Sequence, residues 1–182
     1  MRTIAGLVAA TFVALVVSTT GSRAYEAYRA YAERIVAKPP AGVSFRPDIE
    51  AALNALASSS RKREGRKPLK GSTLLRTAAR AQAIDILKTG DVGHLSARGD
   101  RFAVRFEAFG GDEDERGTRG ENALRGRQAG DTAAAQAGRL MKVWLGSSGH
   151  RRNLMAYDYR YVSTGVVQKG STFYAVQMFW QR

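Results

Sequence analysis

Two apolar segments near the carboxyl end constrain the fold more than any other stretch. Residues 161–168 and 173–180 each have the composition of a strand, and a short loop containing Gly170 joins them, which predicts a β-hairpin. One face of the second strand carries Tyr174, Val176, Met178 and Trp180, and the other carries Phe173, Ala175, Gln177 and Phe179. A strand that is largely apolar on both faces is buried on both. The sequence therefore predicts helices on both sides of the sheet.

Four helical segments are expected before this hairpin. The first begins at Pro47, since proline fits the first turn of a helix and the acids that follow it suit the positive helix end. It is expected to end in the serines at 58–60. The other three are expected to begin at the capping residues Ser72, Asp100 and Asp131. With a short strand at 120–124, these elements predict an α+β fold, a three-layer α-β-α sandwich.

The first 24 residues have the layout of a secretory signal peptide. A positive start at Arg2 precedes an apolar run over 4–17. The small residues Ser22 and Ala24 fit cleavage directly after Ala24. The alternative is an uncleaved anchor, but a run of 14 residues is short for a membrane span of ~20. We therefore expect a secreted protein, either periplasmic or released from the cell.

Two segments follow the expected cleavage site. Residues 25–44 are expected to form an amphipathic helix and a linker, with the helix ending before Pro39 and Pro40. The apolar side of this helix is expected to pack on the domain rather than lie on a membrane surface. Residues 45–182 form the domain itself. It must be held together by packing alone, because the chain has no cysteine.

The chain is strongly basic, with 29 lysines and arginines against 16 acids and a net charge of +13. This charge favours anionic partners, such as a lipid surface or an anionic cell-envelope polymer. The densest basic stretch, at 61–70, is suited to phosphate or an anionic glycan, but it has no aromatic residue for stacking on bases, and we favour its interpretation as a solvated loop. Nucleic acid is not an expected partner of an exported chain. No sequence pattern indicates an oligomeric state.

Three side chains stand out for their chemistry. His94 and His150 are the only histidines, each follows the end of an expected helix, and Glu121 lies between them. Two imidazoles and a carboxylate are a three-ligand set for zinc, which lowers the pKa of a bound water and supports hydrolysis. Without a metal, the same groups suit acid-base work. Their wide spacing leaves a third interpretation open, namely ordinary loop histidines and a glutamate at the edge of the sheet.

Short motifs around these residues resemble those of one family. They are His94-Leu95-Ser96, Gly120-Glu121-Asn122, Trp144-Leu145, Ser147-Ser148-Gly149-His150-Arg151 and Asn153-Leu154-Met155. Over residues 49–179 the chain resembles the CAP superfamily of cysteine-rich secretory proteins, antigen 5 and pathogenesis-related proteins, which carry an SCP domain. It is similar to the cysteine-free bacterial branch. The resemblance implies an α-β-α sandwich with a mainly antiparallel central sheet and a large cleft lined by two histidines and two glutamates.

The resemblance assigns His94, Glu121 and His150 to that cleft. The second glutamate of many relatives lies two residues after the helix tryptophan, where this chain has Gly146. The family includes members that bind zinc or magnesium and members that bind sterols or fatty acids, and it implies no shared enzymatic reaction. Ser96 and Asn122 are expected to orient the rings and the carboxylate. Asn122 fits a purely structural role at the strand end equally well.

Three functions remain open at this point. The first, which we expect, is a secreted, non-enzymatic module that binds a ligand in the cleft. The second is a metal-assisted hydrolase of peptides, esters or cell-wall polymers, with Glu121 as a ligand or general base. The third is a protein that binds the cell envelope through its basic surface, which predicts a strong dependence on salt.

Overall fold

The computed structural model describes residues 9–110, 118–128 and 132–181. Its helices are α1 (Ala9–Ala37), α2 (Pro47–Arg63), α3 (Arg76–Thr89), α4 (Phe102–Gly110), α5 (Ala133–Gly146) and α6 (Ser148–Leu154). Its strands are β1 (Val43–Phe45), β2 (Lys70–Gly71), β3 (Arg119–Arg127), β4 (Tyr161–Lys169) and β5 (Thr172–Trp180). Helices combined with one mainly antiparallel sheet make an α+β fold, as predicted.

The strands form one five-stranded sheet in the order β1-β4-β5-β3, and the short β2 pairs parallel with the start of β4. The other pairs are antiparallel. Strands β4 and β5 form the predicted hairpin, in which Lys169 pairs with Thr172 across a two-residue loop. Gly170 in this loop has a φ of 58°, which glycine adopts without strain. Within the described residues, β3 pairs only with β5 and is an edge strand.

Hydrophobic side chains pack into two clusters, one on each face of the sheet. Helices α1, α3 and α4 pack on the face that carries Val176, Met178 and Trp180. Helices α2, α5 and α6 pack on the opposite face, which carries Phe173, Ala175 and Phe179. The predicted assignment of β5 side chains to the two faces is therefore confirmed. The result is the predicted three-layer α-β-α sandwich.

Gly165 of β4 allows α3 to lie directly against the sheet. A Cβ at this position would lie 2.3 Å from the backbone nitrogen of Arg80 and 2.5 Å from the carbonyl carbon of Ala79. Backbone atoms cannot rotate out of the way, so the contact requires glycine. The alanine-rich side of α3 is fully buried against the sheet, as the sequence pattern predicts.

The second half of α1 packs on the rest of the fold. Tyr28, Tyr31 and Ile35 lie in the same core as α3 and α4. Arg29 Nε donates a hydrogen bond to the Ala108 carbonyl of α4 at 2.7 Å. The expectation that this helix packs on the domain is thus met. The helix runs without a break from Ala9 to Ala37, and the cleavage site after Ala24 stays a prediction.

No helix in the part of the chain that the structure describes is both long and apolar enough to cross a membrane.

Two features of α2 differ from the prediction. The helix continues through the serines at 58–60 to Arg63. Serine often competes with the helix for backbone hydrogen bonds, but here Ser58 Oγ donates to the Leu69 carbonyl outside the helix, so it ties α2 to the strand that follows. Arg61, which we interpreted as part of a solvated loop, is fully buried within this extension.

The caps of two other helices also differ from the prediction. Ser72 Oγ accepts a hydrogen bond from the Leu74 amide and thus closes a turn, whereas α3 begins later, at Arg76. The predicted cap at Asp131 lies outside the described residues. Helix α5 is capped by Thr132, whose hydroxyl accepts from the Ala135 amide at 3.2 Å.

Candidate functional site

A buried ion pair lies at the centre of the site. Glu121 of β3 accepts two parallel hydrogen bonds from Arg105 of α4, Nη1 to Oε2 at 2.8 Å and Nη2 to Oε1 at 2.7 Å. The Arg105 side chain is 0% exposed and that of Glu121 is 2% exposed. Burial alone would raise the pKa of Glu121, but the charge and hydrogen bonds of Arg105 hold it below its usual value. Glu121 is therefore an ionised carboxylate inside the protein.

His94 is attached to this ion pair through its ring. Its Nδ1 lies 2.8 Å from Glu121 Oε1, so the carboxylate accepts a hydrogen bond from Nδ1–H, which fixes the ring orientation. The rest of the side chain is 57% exposed, which leaves the far edge of the ring in solvent. The hydrogen bond to Glu121 raises the pKa of His94. His94 is thus an exposed imidazole with an enhanced preference for positive charge.

The backbone on both sides of His94 is held by buried side chains. Gln82 of α3 donates from Nε2 to the Gly93 carbonyl at 2.9 Å and to the Leu95 carbonyl at 3.0 Å. Arg105 Nη2 donates to the His94 carbonyl itself at 2.9 Å. Three successive carbonyls of the loop between α3 and α4 are therefore fixed, and His94 is presented by a rigid loop.

Ser96 organises this loop and does not touch the ring. Its hydroxyl donates to Asp100 Oδ2 at 2.7 Å and accepts from the amides of Arg98 and Asp100. We expected Ser96 to support the site by orienting the rings and the carboxylate. Its hydrogen bonds act on the backbone of the loop that carries His94.

Helix α6 is attached to β3 by a chain of amide side chains. Asn122 donates from Nδ2 to the His150 carbonyl at 3.1 Å. Asn153 donates from Nδ2 to the Glu121 carbonyl at 3.0 Å and to Asn122 Oδ1 at 2.9 Å. Tyr159 in turn donates from its hydroxyl to Asn153 Oδ1 at 2.7 Å. Asn122 therefore contacts the backbone of His150 and not the His150 ring. This contact is structural, and it also helps to position a site residue, so it combines the two roles that the sequence left open.

Gly120 is required by the same contacts. A Cβ at this position would lie 2.1 Å from the Tyr159 hydroxyl and 2.4 Å from Asn153 Oδ1. The triplet 120–122 thus has three separate tasks. Its glycine admits α6, its glutamate holds His94, and its asparagine binds the α6 backbone.

His150 lies in the first turn of α6, which begins at Ser148, directly after α5 ends at Gly146. Burial, together with the positive charge of His94, lowers the pKa of His150. The two rings are thus close enough to interact electrostatically, and their pKa values are shifted in opposite directions. The Nδ1 atom of His150 is buried and has no hydrogen-bond partner among the described residues.

A metal ion does not fit these residues as they are arranged. Among the described residues, no group of three histidine, cysteine, aspartate or glutamate side chains could hold a metal ion. Both Glu121 oxygens are engaged by Arg105, and His94 Nδ1 shares one of them. The zinc or magnesium site on His94, Glu121 and His150 is thus not formed in this arrangement and stays a prediction from sequence. Many relatives are expected to have a glutamate at the position of Gly146. This glycine is exposed, and a Cβ built on it would meet no described atom within 4 Å.

Sequence reasoning did not identify Arg105 or Gln82 as site residues. A signal for Arg105 was present, because residues 102, 105, 106 and 109 share one side of a helix and the other three are phenylalanines. An arginine on such a stripe must be buried with a partner. Trp144, which belongs to one of the family motifs, is fully buried under the opposite face of the sheet and is a core residue.

Comparison with known proteins identifies similar sequences and folds. A model of the cysteine-rich secretory protein family, CAP, matches residues 23–179. The YkwD protein of Bacillus subtilis is 28% identical over 117 residues, which cover 64% of this chain and 41% of that protein. An outer surface protein of Borrelia burgdorferi superposes with a TM-score of 0.60 at 18% identity, over 75% of this chain and 94% of that one. An extracellular SCP-domain protein from Bacillus anthracis superposes with a TM-score of 0.59 at 19% identity, over 74% of this chain and 40% of that one.

These likenesses differ in what they show. At 18% and 19% identity, the two solved structures show the fold, and they agree with the predicted α-β-α sandwich. The chain spans 41% of the length of YkwD.

Proposed function

Because this chain belongs to the cysteine-rich secretory protein family, CAP, we propose that it is an exported, non-enzymatic protein that binds a ligand at the surface around His94 and His150. The observation that carries the proposal is the buried pair of Arg105 and Glu121. A buried ion pair contributes little net stability compared with apolar side chains of the same volume. Here it orients one exposed ring, which is what a preformed binding site requires.

The residues beside His94 support an amphiphilic ligand. Val92 and Leu95 belong to the same loop and are exposed apolar side chains. The preference of His94 for positive charge favours an anionic head group, and the two apolar side chains favour a hydrocarbon body. We therefore propose that the ligand is a lipid-like molecule with a carboxylate or a similar acidic head group.

Export is supported by two independent features. The first 24 residues have the layout of a signal peptide. The similar structures from Bacillus anthracis and Borrelia burgdorferi are described as extracellular and outer surface proteins, respectively. The proposal places this chain in the periplasm or outside the cell.

The ligand proposal is tested by titrating dodecanoate into the purified protein and recording the imidazole signals by NMR. Only two imidazole rings contribute to these signals, because the chain has two histidines. We expect both to shift saturably, and we expect His94→Gln to weaken binding at least about tenfold, since a charge-assisted hydrogen bond is lost. Dodecanol, with the same chain and an uncharged head group, serves as the control and should bind more weakly.

Two results would contradict this proposal. Binding of dodecanoate that is unchanged in His94→Gln would place the ligand elsewhere. Signals that respond to Zn²⁺ and not to dodecanoate would favour the metal-dependent alternative, and a hydrolase screen against peptides, esters and wall polymers would follow.

A further inference from the structure

A second polar site lies on the same strand as Glu121, farther towards the hairpin loop. Arg125 and Arg127 are two residues apart on β3, so their side chains project from the same face. The strand register places Tyr174 of β5 opposite Arg125 and Thr172 opposite Arg127. Directly opposed residues of an antiparallel pair share a face. Two guanidinium groups and two hydroxyl groups are thereby collected on one small area.

No described residue neutralises the charge of either arginine. Neither forms an ion pair or a side-chain hydrogen bond within the described residues, whereas the buried Arg61 and Arg105 both do. Both side chains are exposed. The two arginines are two positions apart on the strand, so their Cα atoms are about 7 Å apart and their positive charges repel each other. A bound anion between them would remove that repulsion.

The same residues enclose space for a ligand. A pocket of about 370 Å³ is lined by Arg125, Gly126, Arg127, Thr172 and Tyr174. Its volume lies at the lower end of the range of small-molecule sites. Among the described residues, no acidic side chain lines it, and the two arginines supply only donors. The guanidinium fork matches two oxygens of a tetrahedral oxyanion, and the hydroxyl groups supply further donors.

We propose that this pocket binds a phosphate group. It is distinct from the ligand site around His94, because Arg125 lies four residues from Glu121, about 13 Å along the strand. The phosphate belongs either to a soluble molecule or to the phosphodiester of a lipid head group, since both present the same oxygens. The competing explanation is that the arginines only protect an edge strand from pairing with another chain. That explanation predicts no specific binding of an anion.

The test is a titration of inorganic phosphate into the full chain at low ionic strength, followed by backbone amide NMR. We expect saturable shifts confined to the segments 125–127 and 172–174. In Arg125→Gln/Arg127→Gln the affinity should fall at least about tenfold, because charge-assisted hydrogen bonds are lost. Lys62→Gln/Lys67→Gln removes the same charge from an exposed surface elsewhere and should leave the affinity within about twofold.

Two results would overturn the proposal. One is the absence of saturable shifts in these segments, which would leave edge protection as the role of the arginines. The other is an equal loss of affinity in the two double variants, which would mean that phosphate responds only to overall charge.

A second arm identifies the source of the phosphate. Binding to vesicles of phosphatidylglycerol is compared with binding to vesicles of phosphatidylcholine for the wild type and Arg125→Gln/Arg127→Gln. Loss of the phosphatidylglycerol preference in the variant supports the pocket as a lipid head-group site. A preference that persists while phosphate binding is lost supports the pocket as a site for a soluble phosphate compound.

Discussion

Replacing Arg105 with methionine is expected to lower the free energy of unfolding by about 3–5 kcal/mol, because it leaves the Glu121 carboxylate buried without a partner. Methionine has a similar length and keeps most of the packing, so the loss reports the charge rather than a cavity. The same substitution removes the donor to the His94 carbonyl, and the His94 loop should become more mobile. Urea denaturation measures the first effect, and amide hydrogen exchange of residues 93–95 measures the second.

The matched control is Arg119→Met. Arg119 is also an arginine paired with a glutamate, Glu107, but their side chains are 35% and 13% exposed, so both charges are closer to solvent than those of the buried pair. We therefore expect Arg119→Met to cost less than Arg105→Met, about 1 kcal/mol. The double variant Arg105→Met/Glu121→Gln should recover most of the stability, since no charge is then left unpaired. Equal losses in Arg105→Met and Arg119→Met, or no recovery in the double variant, would contradict the role of the buried pair.

Replacing Arg61 with methionine is expected to cost at least about 3 kcal/mol, because buried acceptors lose a charged donor and each unsatisfied group costs about 1–3 kcal/mol. Arg61 Nη1 donates to the carbonyls of Leu154 and Ala156, both at 2.7 Å, and Nε donates to the Lys67 carbonyl at 2.9 Å. The guanidinium therefore joins the end of α2 to the end of α6. The measurement is again the free energy of unfolding in urea.

Lys62→Met is the control for Arg61→Met, because Lys62 is the next residue of α2 and is exposed. Its effect should lie within about 0.5 kcal/mol. Arg61→Lys should recover only part of the loss, since one ammonium group cannot reach three carbonyls in different directions. If Arg61→Met behaves like Lys62→Met, the stretch at 61–70 is the solvated loop that its composition suggests.

The sheet and its layers were predictable because apolar side chains alternate with a fixed period. In β5 that period is two, which places Phe173 and Val176 on opposite faces of the sheet. The structure has them in the two different hydrophobic clusters. The start of α2 at Pro47 was predictable because proline and acidic side chains act locally. Such signals depend on residues near one another in sequence, so they define elements without showing which side chains meet.

The two buried arginines show what local patterns leave out. Arg61 follows Ile49, Leu53 and Ala57 at steps of four on the buried side of α2. Its position on the helix indicates burial, yet the basic composition of the stretch at 61–70 suggested a solvated loop. The acceptors lie more than 90 residues away in sequence at Leu154 and Ala156, and no local pattern identifies them. For Arg105 the partner lies on another element as well, so only the folded chain reveals the pair.

The candidate site was recognised through its motifs, but not through its geometry. Glu121 and His94 do contact each other, as expected of two residues that were assigned to the same cleft. The third expected member, His150, interacts electrostatically with His94 from the opposite layer, and its ring has a different environment. The spacing of residues along the chain does not encode this difference, because it depends on how α6 lies on β3.

The two histidines should contribute to stability with opposite dependence on pH. The pKa of His94 is raised in the folded state, so its contribution is fully present below the unfolded pKa and is lost as the pH rises through the folded pKa. The pKa of His150 is lowered, so its contribution is present above the unfolded pKa and is lost as the pH falls towards the folded pKa. A measurement of stability against pH therefore reports only the net effect of the two histidines. The protonation of each ring must be measured separately.

The most direct test of the account is an NMR pH titration of both imidazole rings in the wild type and in Glu121→Gln. The account predicts a pKa above about 6.5 for His94 and below it for His150, and a fall in the pKa of His94 when Glu121 loses its charge. Glu64→Gln, at an exposed ion pair with Arg151, should leave both values unchanged. Equal pKa values for the two rings, or a His94 pKa that does not respond to Glu121→Gln, would contradict the claim that the buried carboxylate organises this site.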